Sequence, residues 1–133
     1  MSIGKMQVYR DLVKLHSDIR REVIRKIPVQ YRISDSLTIE SCLDKLTMCV
    51  AYLSRYKDDK EKARRIDEDI VYIDLLYDKI EMQSLAHIIS QSTATDIFLR
   101  IKGIEKQLMG LYRHFSRPES ESLRTTESVN DIV

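Results

Sequence analysis

The stretch Arg20-Arg21-Glu22-Val23-Ile24-Arg25-Lys26-Ile27-Pro28-Val29-Gln30-Tyr31-Arg32 decides how this chain folds. Proline lacks an amide N–H and disfavours helical geometry in the residue before it, so a helix arriving from residue 6 onward is expected to stop near Ile27. Upstream, Tyr9, Leu12, Leu15, Ile19, Val23 and Ile27 recur at steps of three and four, the spacing of one helical face. Downstream, Ser34-Asp35-Ser36 offers side-chain oxygens to the free N–H groups of a second helix. The stretch is therefore a turn between two long amphipathic helices.

The second helix runs to about Tyr56 with Ile39, Cys42, Leu43, Leu46, Cys49, Val50 and Leu53 on its inner stripe. Cys42 and Cys49 lie about 10 Å apart along such a helix, too far for a disulfide, and are expected as buried thiols. A dense run of mixed charge, Lys57 to Arg65, leads into a third helix ending near Ala86. There Ala63, Ile66, Ile70, Ile73, Tyr77 and Ile80 form the inner face, and a second apolar row, Val71, Leu75 and Met82, stands beside Asp67, Asp74 and Asp78. A polar break at Ser90-Gln91-Ser92-Thr93 caps a fourth helix, about Thr93 to Phe115, whose inner face is Ala94, Ile97, Ile101, Ile104, Leu108, Leu111 and Phe115. Gly103 and Gly110 each cost this helix about 1 kcal/mol, which points either to close approach by another backbone or to simple tolerance.

With three glycines and two prolines in 133 residues, the chain is poor in turn formers and suited to long helices. We expect an all-α fold, an up-down-up-down antiparallel four-helix bundle over residues 1–115, followed by a disordered acidic tail over 116–133. No apolar run approaches the about 18 residues of a membrane span, and Met1-Ser2-Ile3-Gly4-Lys5 has no signal-peptide core. A cytoplasmic protein without a membrane partner is the expectation.

Leu37, Met48, Ala51 and Tyr52 on the second helix, with Val71, Leu75 and Met82 on the third, exceed what one core seam uses. Leu37, Met48, Tyr52, Val71, Leu75 and Met82 are the candidate oligomer interface. The first helix also carries an outward row Arg10, Lys14, Arg21 and Arg25, and the fourth a row Lys102, Lys106, Arg113 and Arg117. The tail holds two of the 22 Lys and Arg and four of the 21 Asp and Glu, so the body carries 20 against 17 and is mildly basic. These eight cations are the candidate nucleic-acid or polymerase surface, since cationic rows neutralise phosphates. The acidic row beside the apolar one also suggests complementary contacts between adjacent subunits.

Catalytic signatures are not evident. The residues three before His16, His87 and His114 are Val13, Ser84 and Leu111, so the Glu-x-x-His pairs of di-iron bundles are missing. No Gly-rich phosphate loop or nucleophilic-serine motif occurs, and His16 is expected as a hydrogen-bonded boundary histidine. The expectation is a protein that is not an enzyme, with no cofactor, no metal and no small-molecule substrate.

Tyr9-x-x-Leu12, then Ile27-Pro28 before the second helix, then Ala51 near its end, then Ile101-x-x-Ile104-x-x-Gln107-Leu108-x-Gly110-Leu111 together resemble a family of four-helix-bundle proteins. Its best-described members are the accessory variability determinant (Avd) proteins of diversity-generating retroelements. The likeness covers about residues 6–115. It implies a homopentameric, non-catalytic accessory protein that binds a reverse transcriptase and template RNA or cDNA in support of mutagenic reverse transcription. Other members, encoded within ribosomal RNA intervening sequences, imply the alternative: a structural or protein-interaction bundle without nucleic-acid binding.

Overall fold

The computed structural model describes residues 6–118. Its helices are α1 (Gln7–Glu22), α2 (Leu37–Tyr52), α3 (Asp59–Asp69), α4 (Val71–Leu85) and α5 (Gln91–Phe115). α3 and α4 follow one another with a break at Ile70, so five segments make the four rods of an all-α bundle, and no strand occurs among the described residues. α1 packs on α2 and α5, and the α3–α4 rod packs on the same two helices. The rod thus stands diagonally across from α1.

Side-chain pairs between the helices fix their directions. Asp11 meets Gln107 while Asp18 meets Arg100, so an advance along α1 is a retreat along α5. Lys62 lies over the Phe115 ring while Tyr77 packs on Phe98, which sets the rod antiparallel to α5 as well. One continuous core lies between the rods, and Leu12, Leu15, Ile19, Leu43, Leu46, Ile73, Leu76 and Ile101 are among its fully buried members. Burying each such side chain stabilises the fold by about 1.5–3 kcal/mol relative to leaving it exposed.

All seven inner positions expected on α2 are buried. On α1 the buried face begins at Val8, and Tyr9 sits at its edge. On the rod, Ile70 and Tyr77 lie at the edge, and Leu76 and Gln83 are buried instead. The break explains this: the Ile73 N–H bonds back to the Ile70 carbonyl, a tighter turn that shifts the phase of α4.

The turn at Pro28 departs from expectation in detail. Regular helix ends at Glu22, a tight turn spans Ile24–Lys26, and Ile27 is extended, as proline requires of its predecessor. Val23 and Ile27 remain buried, so the connection stays seated on the core. Ser34-Asp35-Ser36 does not cap α2 with side chains. A wider helical turn over Arg32–Ser36 runs straight into α2, and the Leu37 N–H is already bonded to the Arg32 carbonyl. Asp35 is released to reach α4, where Gln83 Nε2 donates to it at 3.2 Å and Lys79 Nζ stands 3.6 Å away.

The start of α5 follows expectation, with the Thr93 N–H donating to Ser90 Oγ at 3.1 Å. At the end of α4, His87 adopts a left-handed backbone (φ 60°), and the Ile88 N–H closes on the Gln83 carbonyl at 2.9 Å. Glycine is the usual occupant of that position. Both cysteines are free and buried, and burial pushes the Cys49 thiol up to about 12. A Cβ placed on Gly103 or Gly110 would meet nothing within 4 Å, so among the described residues neither glycine serves a close approach. No helix among the described residues is long and apolar enough to cross a membrane. The acidic tail lies outside the described residues from residue 119 onward.

Candidate interaction surfaces

All eight cations of the two rows are exposed, but the fold does not gather them into one line. The pairs Asp11–Gln107 and Asp18–Arg100 set a register in which Lys14 lies level with Ile104, between Lys102 and Lys106. Arg10, Lys14, Lys102, Lys106 and Arg113 therefore share one half of the α1–α5 side. Arg21 and Arg25 lie toward the beginning of α5, beyond the reach of its row, and Arg117 follows the last helical residue, Phe115.

The rows also differ in how free their charges are. Arg21 Nη2 donates to Asp18 at 2.9 Å and its Nε to Glu22 at 3.3 Å, so its charge is locally opposed. Burial disfavours the Asp18 carboxylate, but hydrogen bonds from Arg100 and Arg21 outweigh that and hold its pKa below the usual range. Arg10 is bonded only to the Gln7 amide, at 3.1 Å. Lys14, Arg25, Lys102, Lys106, Arg113 and Arg117 have no carboxylate within 4 Å among the described residues.

Between α1 and α2 lies a groove of about 680 Å³ lined by His16, Arg20, Arg25, Glu40 and Asp44. Arg20 places Nε 2.8 Å and Nη2 2.9 Å from the two oxygens of Glu40, and His16 Nε2 lies 2.6 Å from the same carboxylate. The Arg20 hydrogen bond leads in holding the Glu40 carboxyl below its ordinary value, burial opposes it, and His16 adds to it. His16, Glu40 and Asp44 present possible ligand atoms within 4.8 Å of one another. Arg20 and His16 take three of the about four acceptor sites of the Glu40 carboxylate, so Arg20, His16 and Glu40 act as an interhelical clasp.

The opposite flank of α2 is apolar. Leu37, Met48 and Tyr52 are 63%, 41% and 41% exposed, and Val71, Leu75 and Met82 on α4 are 55%, 38% and 48% exposed. At 100° per residue these six line the outer edges of the α2–α4 seam, because Lys79 and Gln83 of α4 face Asp35 across it. Asp67, Asp74 and Asp78 run beside them, exposed and without a cation within 4 Å among the described residues.

Comparison with family models, curated proteins and solved structures returned no match. Sequence reasoning did not find the Arg20–Glu40–His16 clasp or the Asp35–Gln83–Lys79 cluster. Each joins residues 20 or more positions apart on different helices, and no local pattern signals them. It also gave no weight to the exposed residues of the α1–α2 connection, of which Ile33 is 84% and Val29 72% exposed. The alternation of cations and apolar residues from Arg25 to Ile33 was the available signal.

Proposed function

We propose that this chain is a non-catalytic, homo-oligomeric accessory protein of a diversity-generating retroelement. It holds a reverse transcriptase and its template RNA or cDNA through its cationic side and joins its own copies through the α2–α4 seam. A pentameric ring is the assembly that the family resemblance implies. The observation that carries this reading is the separation of two unpartnered surfaces on a bundle whose core is already complete: free cations along α1 and α5, and exposed apolar side chains along α2 and α4. Large exposed apolar patches on folded chains mark contacts, and cation rows favour polyanions.

Replacement of the free cations tests the role. Lys14→Glu, Lys102→Glu and Lys106→Glu together are expected to leave folding and oligomer mass unchanged and to abolish co-purification of the neighbouring polymerase and retention of template RNA. Undiminished binding of both would overturn the reading. The pairing of Arg21 with Asp18 and Glu22 favours the second reading, a protein-interaction bundle whose charges serve solubility. That reading predicts partner binding insensitive to salt and no RNA retention.

A further inference from the structure

The most exposed large apolar side chains do not lie on the α2–α4 seam. They are Ile33 (84%), Leu85 (73%) and Val29 (72%), and all three stand at one end of the bundle. Val29 and Ile33 belong to the α1–α2 connection, and Leu85 is the last residue of α4. The Asp35–Gln83 bond aligns the two elements: retreating from Asp35 and advancing from Gln83 both lead toward this end. Tyr31, 49% exposed, lies between Val29 and Ile33. Arg25, Lys26 and Arg32 are interleaved with them, exposed and without a carboxylate within 4 Å among the described residues. The connection is anchored to the core at both ends, because Val23, Ile27 and Ser36 are buried on either side of the exposed residues.

A chain that leaves cations and aliphatic groups interleaved asks for a partner interleaving anions and aliphatic groups. Such a surface exists on this chain. The outer side of the α3–α4 rod presents Asp67, Val71, Asp74, Leu75 and Asp78 within twelve residues, about 16 Å of helix, with the three carboxylates unpaired among the described residues. We infer that the connection end of one copy, Arg25 to Ile33, docks on the outer acidic–apolar side of the α3–α4 rod of a second copy. The inference rests on the homo-oligomer reading above and names the surface that the α4 residues meet.

Two other surfaces fit the α3–α4 side less well. The outward line of α1 is Arg10, Lys14, Ser17 and Arg21, with Val13 the one exposed large hydrophobic beside it to cover Val71 or Leu75. The row of α5 has Leu99 alone among exposed large hydrophobics. Docking of one connection end on another copy's is opposed by like charge, since each brings three cations. Nucleic acid at this end would leave Val29, Ile33 and Leu85 without use, because aliphatic groups neither stack on bases nor bond to them. The contact is heterologous: every copy offers both halves, so it closes into a ring or extends as a filament according to the angle between them. Arg10, Lys14, Lys102, Lys106 and Arg113 stay outside it, available to a polyanion.

Charge exchange tests this directly. One variant carries Lys26→Glu and Arg32→Glu, the other Asp74→Lys and Asp78→Lys, and circular dichroism and thermal melting confirm that each is folded. Each alone is expected to be monomeric by light scattering at micromolar concentration, and an equimolar mixture to form assemblies of alternating variants, because the unaltered connection end of the second fits the unaltered rod of the first and the reversed end of the first fits the reversed rod of the second. An Arg55→Glu, Lys57→Glu control, which changes charge in the α2–α3 connection away from both surfaces, is expected to assemble like the unaltered chain. If both variants assemble as the unaltered chain does, the docking is wrong while the oligomer reading stands. If the unaltered chain is itself monomeric, both are wrong. If the connection-end variant keeps its mass but loses RNA, this end is a nucleic-acid site and the inference is overturned.

Discussion

Along one flank, α2 meets α1 through Glu40, whose carboxylate is held by Arg20 and His16 at 2.6–2.9 Å, with Asp44 nearby. Along the other it meets α4 with Leu37, Met48 and Tyr52 exposed, facing the similarly exposed Val71, Leu75 and Met82. The first flank is joined within the chain, since the Glu40 carboxylate binds Arg20 and His16 across it. The second is finished only below the surface, where Cys42, Cys49 and Leu76 are buried, and it leaves apolar area in water. On the reading proposed above, the open flank of α2 is the one that meets another molecule.

The contrast can be broken from beneath, from either flank or from the end of α4. The largest effect is expected from Leu46→Ala, which opens a cavity under both flanks at a fully buried position. Loss of about 2–5 kcal/mol in urea unfolding is the expected outcome. Glu40→Gln should cost about 1–2 kcal/mol, since hydrogen bonds to a charged group are lost but Arg20 is largely solvated. Its pH signature is specific. The Glu40 carboxyl is depressed from its ordinary value of 4.5, so its contribution is fully present above that value and fades as pH falls through the lower folded value. The variant should therefore show a flatter acid limb in stability against pH, and an unchanged limb would contradict the clasp.

His87→Gly is expected to stabilise the protein by about 1 kcal/mol, because glycine adopts the left-handed backbone at φ 60° without steric cost. A raised melting temperature would show it. The smallest effect on the folded chain belongs to the open flank: Met48→Ser with Tyr52→Ser should change monomer stability by no more than about 0.5 kcal/mol per site, measured in dilute solution where assembly is lost.

Much of this architecture was legible in periodicity. The α2 stripe from Ile39 to Leu53 is buried at every expected position, and the Ser90 cap forms as its sequence indicates. Periodicity failed where geometry changed within an element: the break at Ile70 turned Leu76 and Gln83 inward, and the wide turn at Arg32–Ser36 freed Asp35 from capping. Neither has a proline or glycine to announce it. The candidate surfaces were legible as rows, since spacing reveals which side chains share a face. How free each charge is was not, because Arg21 is opposed by its own helix and Arg20 by a residue 20 positions away. Gly103 and Gly110 have open space around them among the described residues, so no packing between these helices requires a glycine there.

The central claim is that the α2–α4 flank is completed by another copy. Light scattering of the full chain at micromolar concentration, beside a Met48→Ser, Tyr52→Ser, Leu75→Ser variant, measures it most directly. The account predicts a mass several times 15.6 kDa for the unaltered chain and a mass near 15.6 kDa for a folded variant. An unaltered chain at 15.6 kDa, or a variant that keeps the oligomer's mass, would contradict it.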